Sequence, residues 1–245
     1  PSMPELANAD IDQKDLTPAD QRAAGRRHGT AVAALLIGTR RLTDGRLISA
    51  GVISRGPDGI ASAGVDSLVR GIEWVLQRGA RLINMSLTGP YNKILDIAVQ
   101  RAAARGAILV APVGNAGPEG LVGYPAALRD VIAVTAVDAN RNVFDRAVQT
   151  MDIDFAAPGV HIRVSSRPDG VVSGTSFATP FVTARIASDR DALKRPSVNR
   201  IRRLLAANAV DLGEPGHDPV FGRGLVQAGR DCRQATAHLN RERRP

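Results

Sequence analysis

The octapeptide Ser173-Gly174-Thr175-Ser176-Phe177-Ala178-Thr179-Pro180 leads from small residues into an apolar run at residues 181–187. This pattern predicts a tight turn followed by a buried helix that begins at Thr175 or Ser176. Ser176 would then lie at the positive end of the helix, where Gly174 and Ala178 leave its hydroxyl accessible. Such a serine is a candidate nucleophile, although a serine before an apolar run is also an ordinary helix N-cap. The octapeptide alone favours the cap, and the decision rests on the remaining chain.

Strand and helix patterns alternate along most of the sequence. We expect strands at residues 47–53, 81–87, 108–111, 131–137 and 153–156, and helices at residues 31–38, 65–77, 93–105 and 197–207. The core-facing residues should be Leu68, Ile72, Val75 and Leu76 in the second helix and Ile94, Ile97 and Ala98 in the third. This alternation predicts an α/β fold whose parallel strands are joined by right-handed crossovers. Functional residues of such sheets collect beyond the carboxyl ends of the strands.

The composition fits one such domain. With 245 residues and 44% hydrophobic content, the chain can fill a single core, so residues 1–245 are interpreted as one domain. Aromatic residues make up only 3%, and a core of Val, Ile, Leu and Ala suits a buried parallel sheet. Residues 1–27 are predicted to form a polar surface loop, residues 221–225 to introduce a final short helix holding Cys232, and residues 239–245 a polar tail.

Charge and cysteine content limit the partners. The formal charge is +8, but the arginines are scattered and no basic block is interleaved with aromatics, so nucleic acid is not an expected partner. No apolar run is long enough for a membrane span. The single Cys232 excludes an internal disulfide and leaves the compartment open. No His and Cys residues are spaced as metal ligands, so no metal site is predicted.

A set of short motifs together resembles a known family. In chain order they are His28-Gly29-Thr30, Asn84-Met85-Ser86-Leu87, Gly114-Asn115-Ala116-Gly117, Ala157-Pro158-Gly159-Val160 and Gly174-Thr175-Ser176-Phe177-Ala178-Thr179-Pro180. Their order and content resemble the subtilisin-like serine proteases, or subtilases, from residue 28 to the closing segment at residues 211–226. The resemblance implies a three-layer αβα sandwich with a mostly parallel central sheet.

The resemblance also implies a mechanism. Ser176 would attack a peptide bond, His28 would act as general base, and Asn115 would donate to the oxyanion, which describes a serine endopeptidase working through an acyl-enzyme. The substrate-binding residues implied are Ser86, Leu87, Thr88, Gly114, Ala116 and Gly123. Small residues at Gly114, Ala116 and Gly123 predict a preference for large apolar side chains before the cleaved bond.

Further expectations follow from the same resemblance. The substrates would be polypeptides, and the location extracytoplasmic, secreted or periplasmic, in a bacterium. No cofactor is expected. Bound calcium is common among subtilases, but the sequence contains no convincing acidic cluster that could bind it. A propeptide and the oligomeric state are left open.

The sequence departs from the family pattern at its N-terminus. Subtilases carry a catalytic Asp in an Asp-Thr-Gly or Asp-Ser-Gly turn after an apolar strand, and no such turn occurs here. The carboxylates of the polar loop, Asp10, Asp12, Asp15 and Asp20, do not follow an apolar strand, so none is assigned to the triad. We therefore interpret the sequence as an N-terminally incomplete part of a complete protease, and we expect a gap between parallel strands and a chain that is nearly inactive by itself. Thr88 and Ala184 also stand where the family usually has Gly.

Two other functions are consistent with parts of the sequence. One is an inactive relative that binds peptides in the same cleft, although His28, Asn115 and Ser176 are all retained. The other is a different hydrolase that uses Ser176, an Asp and a later histidine, His217 or His238. Against the second, Ala178 stands where the nucleophile elbow of α/β-hydrolases has Gly.

Overall fold

The computed structural model describes residues 6–7, 9–37, 45–56, 59–164, 170–189 and 191–227. The helices are α1 (Arg26–Ile37), α2 (Val65–Gln77), α3 (Lys93–Ala104), α4 (Thr175–Ala187) and α5 (Val198–Ala206). The strands are β1 (Ile11–Asp15), β2 (Arg22–Ala23), β3 (Leu47–Gly51), β4 (Ile53–Arg55), β5 (Ala61–Ala63), β6 (Leu82–Asn84), β7 (Ile108–Pro112), β8 (Val131–Val137), β9 (Phe155–Pro158), β10 (Ile162–Arg163) and β11 (Val171–Val172). The expected helix with Cys232, the tail at residues 239–245 and His238 lie outside the described residues.

The centre of the fold is a parallel sheet in the order β6-β7-β8-β9. Its register pairs Leu109 with Val131 and Val134 with Phe155. Every residue of β7 and β8 is buried, as expected for a parallel sheet covered on both faces. The predicted α/β fold with a mostly parallel sheet is confirmed.

Helices cover both faces of this sheet. Side chains alternate along a strand, so Leu109 and Ala111 of β7 pack with α2 and α3 while Ile108 and Val110 pack with α4 and α5. The first cluster holds Leu68, Ile72, Leu95 and Val99, and the second holds Val182, Ile186, Ile201 and Leu205. Two apolar layers therefore enclose the sheet in the predicted αβα arrangement.

The prediction that residues 1–27 form only a surface loop was wrong. Strand β1 pairs in parallel with β3, from Ile11 opposite Leu47 to Asp15 opposite Gly51, and β2 pairs with β4. The sequence analysis missed this strand because its residues are mostly polar, and an edge strand can carry charged side chains towards solvent. Asp12 of β1, for example, forms ion pairs with Arg46 at 2.9 Å and Arg78 at 2.5 Å.

The predicted inner face of α3 was wrong for Ile94 and Ile97, and correct for Ala98, which packs partly buried against the core. Ile94 and Ile97 are 58% and 39% exposed, whereas Leu95, Val99 and Ala102 are buried. The side chain of Asn92 caps the helix by accepting from the backbone N–H of Ile94 and of Leu95. The helix begins where the sequence predicted, and Leu95, Val99 and Ala102 follow a helical spacing as regular as that of the face chosen from the sequence. The bounds of α2 and β8 agree with the predictions, whereas β9 begins two residues late.

The sheet is interrupted between β3 and β6. The β1–β3 pair and the β6–β9 sheet are separate, and no described strand pairs with the second edge of β3 or of β6. A cleft of about 1350 Å³ lies between them and is also bordered by α1 and α2. The gap expected between parallel strands is therefore present in the described part of the chain.

Candidate active site

Ser176 lies in the first turn of α4, which begins at Thr175. The preceding Gly174 has φ 147° and ψ 156°, a backbone conformation that L side chains rarely adopt, so glycine allows the sharp entry into the helix. Ser176 is half-buried, and the N–H groups of this first turn point towards the reacting end of the helix. The predicted position of the serine at a helix start is confirmed.

Asn115 follows β7 and contacts the start of α4. Its Oδ1 accepts hydrogen bonds from the backbone N–H of Thr175 at 3.1 Å and from its hydroxyl at 3.0 Å. These two hydrogen bonds fix the orientation of the Asn115 side-chain amide, so that its Nδ2 lies on the side away from the Thr175 donors. A Cβ placed on Gly174 would lie 3.4 Å from Asn115 Nδ2 and 3.8 Å from Ser176 Oγ. The amide donor and the serine hydroxyl therefore border the same small space, where an oxyanion could be bound.

His28 lies in the first turn of α1, on the same side of the sheet as α4. Its Nε2 is 3.2 Å from the carbonyl oxygen of Ser86, and its ring centroid is 5.0 Å from that of Phe177. Ser86 in turn donates its hydroxyl to the carbonyl of Ser176 at 2.8 Å. The structure thus brings His28 and Ser176 together through Ser86. Within the described ranges, no carboxylate is hydrogen-bonded to the His28 ring.

A polar chain behind the site was missed by the sequence analysis. Thr183 of α4 donates to Asn84 Oδ1 at 3.0 Å, and Asn84 Nδ2 donates to the Ser86 hydroxyl at 2.8 Å. Asn84 and Ser86 are two residues apart at the end of β6, so both can point to the α4 side. That spacing is the signal by which the chain could have been found. It joins the strand end to the serine helix.

The predicted substrate-binding residues fall into two groups. The side chain of Thr88 is exposed and lies against Gly123, while Gly114 lies between Thr88 and the buried Val148. Ala116 is instead packed against Gly120 of its own loop, and Leu87 packs partly against the core on the α2 side. The structure therefore brings Thr88, Gly114 and Gly123 together, but not Ala116.

Of the later histidines only His217 lies in the described part of the chain, and it is not hydrogen-bonded to Ser176. His217 Nε2 is 2.7 Å from the carbonyl oxygen of Ile153, just before β9, whereas His28 contacts the residue that binds Ser176. In the part of the chain that is described, no three His, Cys, Asp or Glu side chains gather as a metal site. In the same part, no helix is both long and apolar enough to cross a membrane.

Comparisons with known proteins agree with this geometry. The family model of the subtilase family, Peptidase_S8, matches residues 3–224. Subtilisin DY of Bacillus licheniformis is 36% identical over 167 residues, which cover 65% of this chain and 60% of that protein. The minor extracellular protease Epr of Bacillus subtilis is 36% identical over 169 residues, 68% of this chain and 26% of that protein. The chain thus spans 60% or less of the length of these two relatives.

Solved structures show the same architecture. A mutant of the protease domain of PatA superimposes with a TM-score of 0.74 at 25% identity, covering 98% of this chain and 90% of that one. Fervidolysin from Fervidobacterium pennivorans, a keratinolytic enzyme, gives a TM-score of 0.76 at 24% identity, covering 92% and 39%. Since the family model covers most of the chain and the fold is the same, the chain belongs to the subtilase family.

Proposed function

We propose that this chain is the catalytic part of a serine endopeptidase that cleaves polypeptides through an acyl-enzyme. The observation that carries the proposal is the convergence of His28, Ser86, Asn115 and Ser176 at the first turn of α4. A structural helix cap would explain Ser176 alone. It would not explain an amide beside the serine hydroxyl and a histidine that contacts Ser86, the residue bonded to the Ser176 carbonyl.

The proposed reaction uses side-chain and backbone groups. Ser176 Oγ attacks the carbonyl carbon, and His28 takes the hydroxyl proton and then gives it to the leaving amine. Water, activated by the same histidine, releases the acyl group. The oxyanion accepts hydrogen bonds from Asn115 Nδ2 and from the backbone N–H of Ser176. In this structure His28 Nε2 faces the Ser86 carbonyl, and the hydrogen bond between a catalytic histidine and serine often tightens only when substrate is bound.

Since no carboxylate of the described residues is hydrogen-bonded to the His28 ring, we infer that the cleft between β3 and β6 is where one would enter. An extended residue occupies about 3.3 Å along the strand, 4.8 Å across the sheet and 10 Å between layers. A cleft of about 1350 Å³ therefore has room for roughly eight residues of one more strand. His28 lies on the cleft wall, so a carboxylate at the end of that strand would reach its ring. We propose that this strand carries the catalytic Asp, and that the 245-residue chain without it turns over roughly 10⁴-fold more slowly.

The proposed substrate carries an uncharged side chain before the cleaved bond. The surroundings of Gly114 are Val148, Thr88 and Gly123, none of which is charged. The preference for large apolar side chains, predicted from the sequence, remains untested, and the position of Thr88 bears on it.

We also propose secretion, because relatives of similar sequence include an extracellular protease of Bacillus subtilis. A propeptide, the oligomeric state and bound calcium stay open, and the expectation that no cofactor is needed stays a prediction.

A fluorophosphonate probe tests the proposed function. We would label the 245-residue chain, and a form extended upstream of Pro1 by an apolar strand ending in Asp, and locate the label by peptide mapping. Labelling at Ser176 that is much faster in the extended form supports both the nucleophile and the role of the strand. The control is Ser176→Ala, which should abolish the label.

Two results would contradict the proposal. If both forms are folded and neither is labelled, the inactive peptide-binding function takes its place. If the 245-residue chain is labelled as fast as the extended form, the carboxylate is not needed and the role of the strand fails.

A further inference from the structure

The side chain of Thr88 occupies the space between two glycines of the substrate cleft. A Cβ added to Gly123 would lie 2.6 Å from Thr88 Cβ and 2.9 Å from its Cγ2. A Cβ added to Gly114 would lie 3.9 Å from the same methyl carbon and 3.8 Å from Cγ2 of Val148. The methyl group of Thr88 is therefore close to both glycines, and Val148 closes the space behind Gly114.

These distances limit what can enter beside Gly114. Non-bonded carbon atoms need about 3.5–4.0 Å between their centres. The threonine methyl already stands 3.9 Å from a Cβ on Gly114 and 2.9 Å from one on Gly123, so a ring or a long branched side chain placed beside these glycines would overlap Thr88. A single methyl group from a substrate still fits against Gly114.

We propose that Thr88 makes this cleft select small uncharged side chains, such as that of Ala, before the cleaved bond. The inference rests on the proposed peptide-binding function of the site and names its substrate class. It revises the size preference predicted from the sequence, because that prediction counted the small residues at Gly114, Ala116 and Gly123 and gave no weight to the threonine side chain.

The effect comes from the shape of Thr88 and not from its hydroxyl. Thr88 is exposed, and its hydroxyl forms no hydrogen bond within the described residues. The position is also held firmly, because Gly89 and Tyr124 exchange two backbone hydrogen bonds of 2.9 Å, and the N–H of Gly123 donates to Val113 at 3.0 Å. The threonine therefore cannot move away from Gly123 without breaking backbone pairing.

Peptide binding to a variant that cannot react measures the preference directly. In the Ser176→Ala background, fluorescein-labelled Ala-Ala-Ala-Ala and Ala-Ala-Ala-Phe are titrated, and the ratio of their dissociation constants is compared. The series Thr88→Val, Thr88→Ala and Thr88→Gly is then measured. Valine keeps the branched shape and removes only the hydroxyl, so it is the matched control.

The expected results follow from the lost methyl and Cβ atoms. The parent and Thr88→Val should bind the peptide ending in Ala at least about tenfold tighter than the one ending in Phe. Thr88→Gly should shift this ratio by about 10-fold to 100-fold towards Phe, and Thr88→Ala should fall between. Equal ratios across the series, a preference of the parent for Phe, or no binding of either peptide would overturn the proposal. If Ser176 is not the nucleophile, the result differs: fluorophosphonate does not label Ser176 in the reactive protein, while the ratios of the peptide dissociation constants change as expected across the Thr88 series.

Discussion

The pair formed by Asp154 and Arg202 offers a stability test that does not depend on catalysis. Arg202 of α5 donates to the Asp154 carboxylate through Nε at 2.7 Å and Nη2 at 2.9 Å, and the two side chains are 20% and 7% exposed. Nη2 also donates to the carbonyl of Val131 at 2.9 Å. The pair therefore fastens α5 to the start of β8.

Replacing Arg202 by Met should destabilise the protein strongly. The substitution keeps an apolar stem but leaves the buried Asp154 charge with only the backbone N–H of Ala133, at 3.1 Å. Breaking a buried ion pair from one side costs about 3–5 kcal/mol. Since Arg202 is partly exposed, we expect about 3 kcal/mol, which is roughly 6–12 °C in Tm for a chain of this size.

Urea denaturation of the 245-residue chain measures the effect, with the midpoint and the slope fitted separately. The matched control is Arg105→Met, whose partner Glu73 is 3.1 Å away at a site where the side chains are 59% and 48% exposed. That variant should lose less than about 1 kcal/mol. Adding Asp154→Asn to Arg202→Met should restore about 1 kcal/mol, because the unpaired charge is removed. Equal losses for the two single Arg variants, or strictly additive effects in the double variant, would refute the reasoning.

Three further outcomes are expected. Asn115→Ala in the extended form should lower kcat about 10²-fold to 10³-fold, measured on a peptide ester, without changing the circular dichroism spectrum. Gly174 has φ 147°, so Gly174→Ala should cost more than about 1 kcal/mol, and the new Cβ, 3.4 Å from the Asn115 amide, should slow labelling. Gly216→Ala is the control: its φ of 95° is also unfavourable for alanine, but no neighbour lies within 4 Å, so it should affect stability alone. The Asn142 side chain, followed by its backbone N–H, lowers the pKa of Asp138 from 3.8, so Asn142→Ala should raise that pKa in a carboxyl NMR titration. Because the pKa of Asp138 is lower in the folded state than in the unfolded state, its carboxylate stabilises the folded parent above pH 3.8. The extra stability of the parent over Asn142→Ala should be lost as the pH falls through the pKa of Asp138 in the folded state.

The fold was predictable where one local pattern dominates. The apolar spacing of α2 and the continuous apolar run of β8 gave correct bounds, because each element is buried on the face or faces that its pattern predicts. Strand β1 could not be found in this way, since its stability comes from pairing with β3 across more than thirty residues of chain. In α3 the apolar residues allow two faces, and the buried one holds Leu95, Val99 and Ala102 and not the two isoleucines.

The site was predictable only through motifs taken together. The distance between His28 and Ser176 along the sequence does not predict that they lie close together. They are connected through Ser86, which lies on a third segment just after β6. The side chains of Asn84 and Thr183, which hold Ser86, carry no catalytic signature in sequence. The obstruction by Thr88 likewise depends on its distance to Gly123, which is set by the bridge between residues 89 and 124.

The two sides of α1 have different tasks in the proposed enzyme. On one side Ala31, Val32 and Leu35 pack in a cluster with Phe177 of α4, so the histidine helix is fixed directly to the serine helix. Another side, which includes Leu36, borders the open cleft. A strand entering that cleft therefore does not have to assemble the site, because His28 and Ser176 are already held near each other. The strand contributes a carboxylate for the histidine and backbone partners for the edges of β3 and β6 that no described strand pairs with. Adding it should therefore raise both the labelling rate and the free energy of unfolding. The same strand with Asn in place of its Asp should raise the free energy of unfolding but not the labelling rate.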